Sequence, residues 1–249
     1  TNAQSRVIED ELRLLGIPYR IYGGTSFYQR KEIKDALAYL RLVSNRDDNE
    51  AFLRVINYPA RGIGDTSVGR LAEAARLNKC SLMQVAIDSE RLCETLTAAA
   101  HKKVKEFAQM IEGFAQDVLT KEAFQFAQDL MMQTGILREA KSDTTPEGIA
   151  RYENLQEMLS GIQEFSARRQ QEGVDFTPIT DFLAEVSLLT DQDEHLDDTV
   201  SRVTLLTIHA AKGLEFRTTF IVGLEENLFP SAFCQSPHEI EEERRLFYV

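Results

Sequence analysis

Hydrophobic positions follow helical spacing through most of the chain and strand spacing near its two ends. Residues 4–15 carry apolar side chains three or four positions apart (Ile8, Leu12 and Leu15), which predicts an amphipathic helix that buries this face. Residues 17–22 then predict a short strand. A helix followed by a strand is typical of an α/β domain.

Beyond the first strand, one helical pattern follows another through the middle of the chain, with little strand signal. Apolar, β-branched runs return at residues 203–208 and 218–222, and both predict buried parallel strands. The predicted fold class is α/β. A parallel-sheet domain is built from both chain ends, residues 1–26 and 200–249, and a large all-helical insertion at 27–199 interrupts it.

Composition limits the class of protein. The 249 residues are 43% hydrophobic, and no apolar run approaches the roughly 18–20 residues that span a bilayer, which argues against an integral membrane protein. No signal peptide is visible at the start. Cys80, Cys93 and Cys234 are scattered and never form C-x-x-C, which favours reduced thiols, a cytoplasmic location and no metal site.

The net charge of −12 disfavours an indiscriminate nucleic-acid binder, but the charge is unevenly distributed. Residues 54–105 carry nine Lys or Arg against five Asp or Glu, a balance of +4. Residues 170–201 carry nine acids and no Lys or Arg. A polyanion would therefore contact the first segment and avoid the second. The alternative is that both segments are simply solvated helix faces.

The sequence Arg61-Gly62-Ile63-Gly64 lies between two predicted amphipathic helices. Two glycines allow a tight turn that leaves main-chain N–H groups free at the start of the second helix, where the helix dipole favours a phosphate. Flanking arginines add positive charge. Such a hairpin binds the DNA backbone without reading bases. The alternative is an ordinary helix–turn–helix connection, in which glycine is also common.

Residues 207–216 (TIHAAKGLEF) lie between the two late strands. Open α/β sheets bind ligands beyond the carboxyl ends of their strands. The run offers an imidazole (His209), a cation (Lys212), a flexible glycine (Gly213) and a carboxylate (Glu215). A carboxylate can pair with ribose hydroxyls, and glycine admits a phosphate. The alternative is a strand–loop–strand connection with incidental polar residues.

This run resembles motif V of the superfamily 1 DNA helicases of the UvrD/Rep/PcrA type. Other segments resemble the same family and occur in its order: residues 1–6 (TNAQSR), 19–24 (YRIYGG), 27–35 (FYQRKEIKD), 59–64 (PARGIG) and 241–249 (EEERRLFYV), the last being the beginning of motif VI. The resemblance spans essentially the whole chain.

The resemblance implies a second RecA-like motor domain (2A), incomplete here, formed by residues 1–26 and 200–249. It implies that residues 27–199 are the helical insertion domain (2B), a movable arm. Its hinges would lie near residues 23–24 and 191–199.

The resemblance also assigns roles to residues. Asn2, Thr207 and His209 would contact single-stranded DNA. Glu215 would bond the ATP ribose, and Gly213 would lie near the phosphates. Duplex DNA would contact Arg61, Gly62, Ile63 and Gly64. The motif VI residues that would support the ATP-binding surface are Glu243, Arg244, Arg245 and Tyr248.

The implied activity is that of an ATP-dependent 3′–5′ DNA helicase of DNA repair or replication, which translocates on single strands and unwinds duplex junctions. No Walker A or Walker B segment occurs in the sequence, so ATP hydrolysis and the Mg²⁺ ligands would require a preceding motor domain of the same polypeptide. The chain alone is therefore expected to be inactive. Protein partners would bind the helical insertion. The alternatives are a non-catalytic DNA- or protein-binding regulatory module and a subunit of a helicase–nuclease.

Overall fold

The computed structural model describes residues 5–22, 25–194, 201–225, 229–230, 234 and 236–248, with backbone only for 189–194. In chain order the elements are α1 (Ser5–Leu14), β1 (Tyr19–Tyr22), a 3-10 turn (Phe27–Gln29), α2 (Lys31–Ser44), α3 (Asn49–Val55), α4 (Asp65–Asn78), α5 (Leu82–Ile87), α6 (Ser89–Leu92), α7 (Ala98–Ala115), α8 (Ala123–Gln133), α9 (Ile136–Ser142), α10 (Pro146–Gln171), α11 (Ile179–Glu194), β2 (Val203–Leu206), α12 (Ile208–Ala211) and α13 (Pro237–Phe247). No helix in these ranges is long and apolar enough to cross a membrane.

The chain divides into two compact units. Unit 1 combines Thr1–Arg30 with Gln192–Val249, and unit 2 is Lys31–Asp191. The two chain ends therefore share one unit, and a helical body is inserted between them. The predicted fold class, α/β with a large helical insertion, is confirmed.

The sheet of unit 1 joins the two ends of the chain. β1 and β2 pair in parallel, with Tyr19 opposite Val203 and Tyr22 opposite Leu206. The N–H of Val203 also donates to the carbonyl oxygen of Pro18 at 2.9 Å, one residue before the strand. A parallel pair requires a crossover connection between its strands, and here the whole of unit 2 occupies that connection.

The prediction of a further buried strand at 218–222 is wrong. The structure forms no strand there, and Phe220 is 85% exposed. Ile221 and Val222 are also exposed. A short apolar run becomes a buried strand only if other layers cover it, and none of the described residues covers this one.

The predicted apolar face of α1 is not its most buried face, since Ile8 and Leu12 are only half-buried. Leu15 is exposed, whereas Arg6, Glu9 and Arg13 are buried. The charged face can be buried because its groups find partners on β1 and on the segment before unit 2, as described below. Charged side chains are rarely buried unless they are paired in this way.

Unit 2 is organised around α2, which is buried on nearly all sides. It packs against α3, α7, α8 and α10. A helix surrounded by others has no need of a polar face, and its apolar positions accordingly extend around the helix. The rings of Phe52 and Phe107 meet edge to face beside it, with centroids 5.5 Å apart, and fix α3 against α7.

Candidate nucleic-acid interface

The predicted hairpin connects α3 to α4 in unit 2. Gly62 has φ +69°, in the left-handed region that favours glycine. Gly64 is the N-cap of α4, with an extended backbone (φ −79°, ψ 166°) and no side-chain bond at the cap. The chain therefore turns at the first glycine and enters the second helix at the next.

Asn57 holds this turn from the preceding segment. Its side-chain oxygen accepts the main-chain N–H groups of both Arg61 and Ile63, each at 3.0 Å. The Ile63 side chain is buried and anchors the hairpin to the helices below it. Asn57 is not among the residues predicted from the sequence. An amide side chain just before a glycine turn was the available signal, since Asn often bonds nearby backbone.

Arg61 points into unit 2. Its guanidinium donates to the carbonyl oxygens of Val55 and Pro59, both at 3.1 Å, and to that of Thr134 at 3.3 Å. Its Cζ lies 5.3 Å from the Phe107 ring centroid, within reach of a cation–π interaction. This guanidinium connects the hairpin to the end of α8. All three bonds hold the Arg61 guanidinium against main-chain carbonyl oxygens of unit 2, and its predicted contact with duplex DNA stays a prediction.

Two tyrosines belong to the segments that support the hairpin, of which Tyr39 is buried and Tyr58 is half-buried. The Tyr39 hydroxyl donates to the carbonyl oxygens of Tyr58, at 2.5 Å, and Val55, at 3.2 Å. Burial raises the pKa of Tyr39 well above its usual range, and it raises the pKa of Tyr58 to about 12. Both phenols are therefore neutral at physiological pH, and Tyr39 serves as a fixed hydrogen-bond donor.

Gly64 is where the hairpin is open. A Cβ built there would have no atom within 4 Å, and its φ is accessible to any residue, so neither packing nor backbone geometry requires glycine. In the described part of the chain, no acceptor bonds the N–H of Gly64, Asp65 or Thr66. Free N–H groups at the start of a 14-residue helix, with the helix dipole behind them, favour an anion such as a phosphate.

The second predicted site lies in unit 1, after β2. Thr207 is the N-cap of α12, and its hydroxyl accepts the N–H of Ala210 at 3.3 Å. The predicted loop is thus partly helical, and β2 ends before Thr207 rather than at residue 208. His209, Gly213 and Glu215 are exposed, and Gly213 has φ +79°. Asn2 lies outside the described residues.

The motif VI residues lie on or just after α13. Arg244 pairs with Glu241 at 2.7 Å and Arg245 with Glu242 at 2.5 Å, each one turn away on the same helix. Tyr248, which follows the helix, is 81% exposed. α13 contacts α12, so these residues share unit 1 with the loop at 207–216. Within the ranges described, no group of three or more His, Cys, Asp or Glu could hold a metal ion.

Unit 1 also contains a buried polar cluster that the sequence did not predict. Glu9 is fully buried and accepts from the Tyr19 hydroxyl (3.2 Å), the Ser26 hydroxyl (2.7 Å) and the Phe27 N–H (3.2 Å). Arg13 pairs with it at 3.6 Å. This carboxylate ties α1 to β1 and to the segment that leads into unit 2.

Asp10 lies next to that cluster. Burial raises its pKa to about 6, against the opposing effect of Arg6 at 3.1 Å and of Arg13 at 3.5 Å. No periodicity of the sequence indicates such a cluster, because its partners come from three separate segments.

Comparisons with known proteins cover the whole chain. The family model described as the UvrD-like helicase C-terminal domain matches residues 1–249. The chain is 42% identical to the ATP-dependent DNA helicase PcrA of Leuconostoc citreum and 41% identical to that of Bacillus subtilis (strain 168). It is 38% identical to DNA helicase II of Escherichia coli (strain K12). Each match covers 100% of this chain and 33 or 34% of the relative, so the chain spans about one third of their length.

Proposed function

The chain belongs to the UvrD-like helicase C-terminal domain family, and from that premise we propose that it is the second motor domain, 2A, with its helical insertion, 2B, of an ATP-dependent DNA helicase. The observation that carries the proposal is the match along all 249 residues with proteins named as DNA helicases. Unit 1 corresponds to 2A and unit 2 to 2B. The parallel pairing of the two chain ends around a helical body supports this assignment.

ATP would bind against unit 1. Glu215 would accept from the ribose hydroxyls and Gly213 would lie beside the phosphates, while the motif VI residues on and after α13 would support this surface. Their exposure and the left-handed turn at Gly213 fit such a surface. Mg²⁺ accompanies ATP and neutralises phosphate charge. Its ligands would come from a preceding motor domain.

Single-stranded DNA would contact the same unit through Asn2, Thr207 and His209. Glu215 and His209 lie six positions apart in sequence, which gives a short route from nucleotide to strand. The cleft between the two motor domains would close and reopen, and the two DNA-binding surfaces would advance alternately along the strand. The driving force would be the different affinities of the closed and open states for ATP and its products. The direction would be 3′ to 5′, and the role would be in DNA repair or replication.

Duplex DNA would contact the hairpin of unit 2. The four-residue contact predicted from the sequence narrows to the main chain at Gly62 and Gly64, because the Arg61 side chain and the Ile63 N–H are already bonded within the protein. A phosphate oxygen at Gly64 would accept main-chain N–H bonds without any reading of base sequence.

The Gly64→Ala variant tests this contact. The fold should be unaffected, since the added methyl meets no atom within 4 Å. Duplex affinity should fall about tenfold, because the methyl keeps the phosphate from an N–H bond worth about 1.5–3 kcal/mol to a charged acceptor. Fluorescence anisotropy with a short blunt-ended duplex measures it.

The matched control is Gly69→Ala, which is also exposed and also free of contacts but lies in the next turn of α4. It should bind duplex like the unsubstituted chain. Equal affinities of the Gly64 and Gly69 variants would show that the hairpin does not hold the phosphate.

A second experiment tests the proposal that ATP hydrolysis requires the preceding motor domain. The 249-residue chain, mixed with ATP, Mg²⁺ and single-stranded DNA, should release phosphate at the background rate, since it contains no phosphate-binding loop of the Walker type. A coupled phosphate-release assay measures it. Turnover that disappears in the Glu215→Ala variant would refute the proposal that the catalytic groups lie elsewhere.

A further inference from the structure

A lysine from a distant helix contacts the hairpin. The ammonium of Lys103, on α7, donates to the carbonyl oxygen of Gly62 at 3.1 Å, across 41 positions of the sequence. A Cβ built on Gly62 would lie 2.5 Å from the same nitrogen. The left-handed backbone favours glycine here, and a side chain at this position would force the Lys103 ammonium to move.

Lys103 differs from its neighbours on α7 in its charge partners. Lys102 faces Glu106 at 4.0 Å and Lys105 faces Glu90 at 3.5 Å. Lys103 has no carboxylate within ion-pair distance among the described residues. An ammonium has three N–H donors, and Gly62 takes one of them. Two donors and a full positive charge therefore remain at the exposed side of the turn.

The charge of Lys103 is placed where the hairpin lacks one. Arg61, the arginine of the hairpin itself, is turned into unit 2 and bonded to three carbonyl oxygens. Because Arg61 is turned inward, the hairpin itself offers no cation to a phosphate at the Gly64 N–H group. Lys103 supplies that charge. Sequence distance hides this pairing, because α7 begins more than 30 positions after the hairpin.

We propose that Lys103 is a DNA-binding residue that contacts a backbone phosphate at the hairpin and at the same time holds the Gly62 carbonyl in place. One N–H positions the turn, and the other two face the phosphate that the Gly64 amide binds. This inference rests on the proposed duplex contact of the hairpin and adds to it the residue that supplies the charge.

Salt dependence separates a phosphate contact from a purely structural role. For B-DNA, each neutralised phosphate contributes a slope of about −0.9 to the plot of log affinity against log salt. Lys103→Met should therefore make the slope shallower by about 0.9, with an affinity loss of about eightfold near 0.1 M salt that vanishes towards 1 M. Lys103→Arg should keep the slope of the unsubstituted chain, because it keeps the charge.

The control is Lys102→Met, which removes an equal charge from the adjacent position of α7, where Glu106 already pairs with it. Its slope should match the unsubstituted chain. The probe is the same blunt-ended duplex, titrated at several sodium chloride concentrations, and circular dichroism checks that each variant is folded.

Each outcome decides between the possibilities. A shallower slope in Lys103→Met, restored in Lys103→Arg, supports the inference. Weaker binding with an unchanged slope would mean that Lys103 only shapes the turn, and the inference would be wrong. No salt-dependent duplex binding by the unsubstituted chain would remove the proposed function itself, and the inference with it.

Discussion

Replacing Arg61 by methionine should destabilise unit 2 by about 3 kcal/mol, since unpaired buried acceptors cost about 1–3 kcal/mol each and Arg61 is only partly buried. Methionine keeps the length of the side chain but cannot donate. The carbonyl oxygens of Pro59 and Thr134 would lose a charged donor, whereas that of Val55 would keep the Tyr39 hydroxyl and the Tyr58 N–H as donors. Urea unfolding followed by far-ultraviolet circular dichroism measures the change.

Arg70→Met is the control for this experiment. Arg70 is a nearby arginine of α4 that donates to one exposed carbonyl oxygen, that of Thr95 at 2.6 Å. Its loss should cost under about 1 kcal/mol, as expected for a single net hydrogen bond. If Arg61→Met were as stable as Arg70→Met, the guanidinium would not be the structural link described here. The loss of duplex binding at a temperature where Arg61→Met is folded should be smaller than that of Gly64→Ala.

Glu9→Gln should lower the free energy of opening of unit 1 by about 3 kcal/mol. It removes a buried charge that compensates Arg13, and it places an amide donor among existing donors. Hydrogen exchange followed by mass spectrometry measures it locally. Amides of residues 5–22 should exchange about 100-fold faster, the ratio that corresponds to this free energy if exchange proceeds through opening of unit 1.

Two references make the result specific. Glu11→Gln changes an exposed carboxylate on the same helix and should leave exchange unchanged. Peptides from α7, in unit 2, should exchange alike in all three proteins, because the two units are separately compact. Uniform acceleration across both units, or none in residues 5–22, would contradict a local role for Glu9.

Local signals in the sequence were sufficient for the hairpin and for most helices. The glycines at 62 and 64 indicate a tight turn between helices, and the structure has that turn. Pro146 indicates a helix start, and it occupies the first turn of α10 with Thr145 as the cap. These features depend on neighbouring residues only, so a sequence can show them.

Features that depend on distant contacts could not be predicted in this way. The inward direction of Arg61 depends on the Thr134 carbonyl oxygen, and the position of the Lys103 ammonium depends on the Gly62 carbonyl oxygen. The face of α1 was misassigned because an apolar stripe indicates burial only when something covers it, whereas Glu9 has partners on two other segments, β1 and residues 26–27. The same reason explains the exposed run at 218–222.

The hinge of the arm stays a prediction. Residues 23–24 and 195–199 of the two proposed links lie outside the described residues. On the near side, the Ser26 hydroxyl and the Phe27 N–H are bonded to Glu9, and Arg30 donates to the Ser5 hydroxyl at 2.7 Å. Residues 26–30 therefore belong to the fixed part of unit 1.

The paired attachment of the hairpin has a mechanical meaning. A turn attached only to its own two helices would deform when a force acts on it, and part of the movement would be absorbed by the loop. Here Arg61 joins it to the end of α8, and Lys103 joins it to α7. A force applied at Gly64 would pass into the helices of unit 2 through one or two side chains, so a ligand held there would move together with those helices.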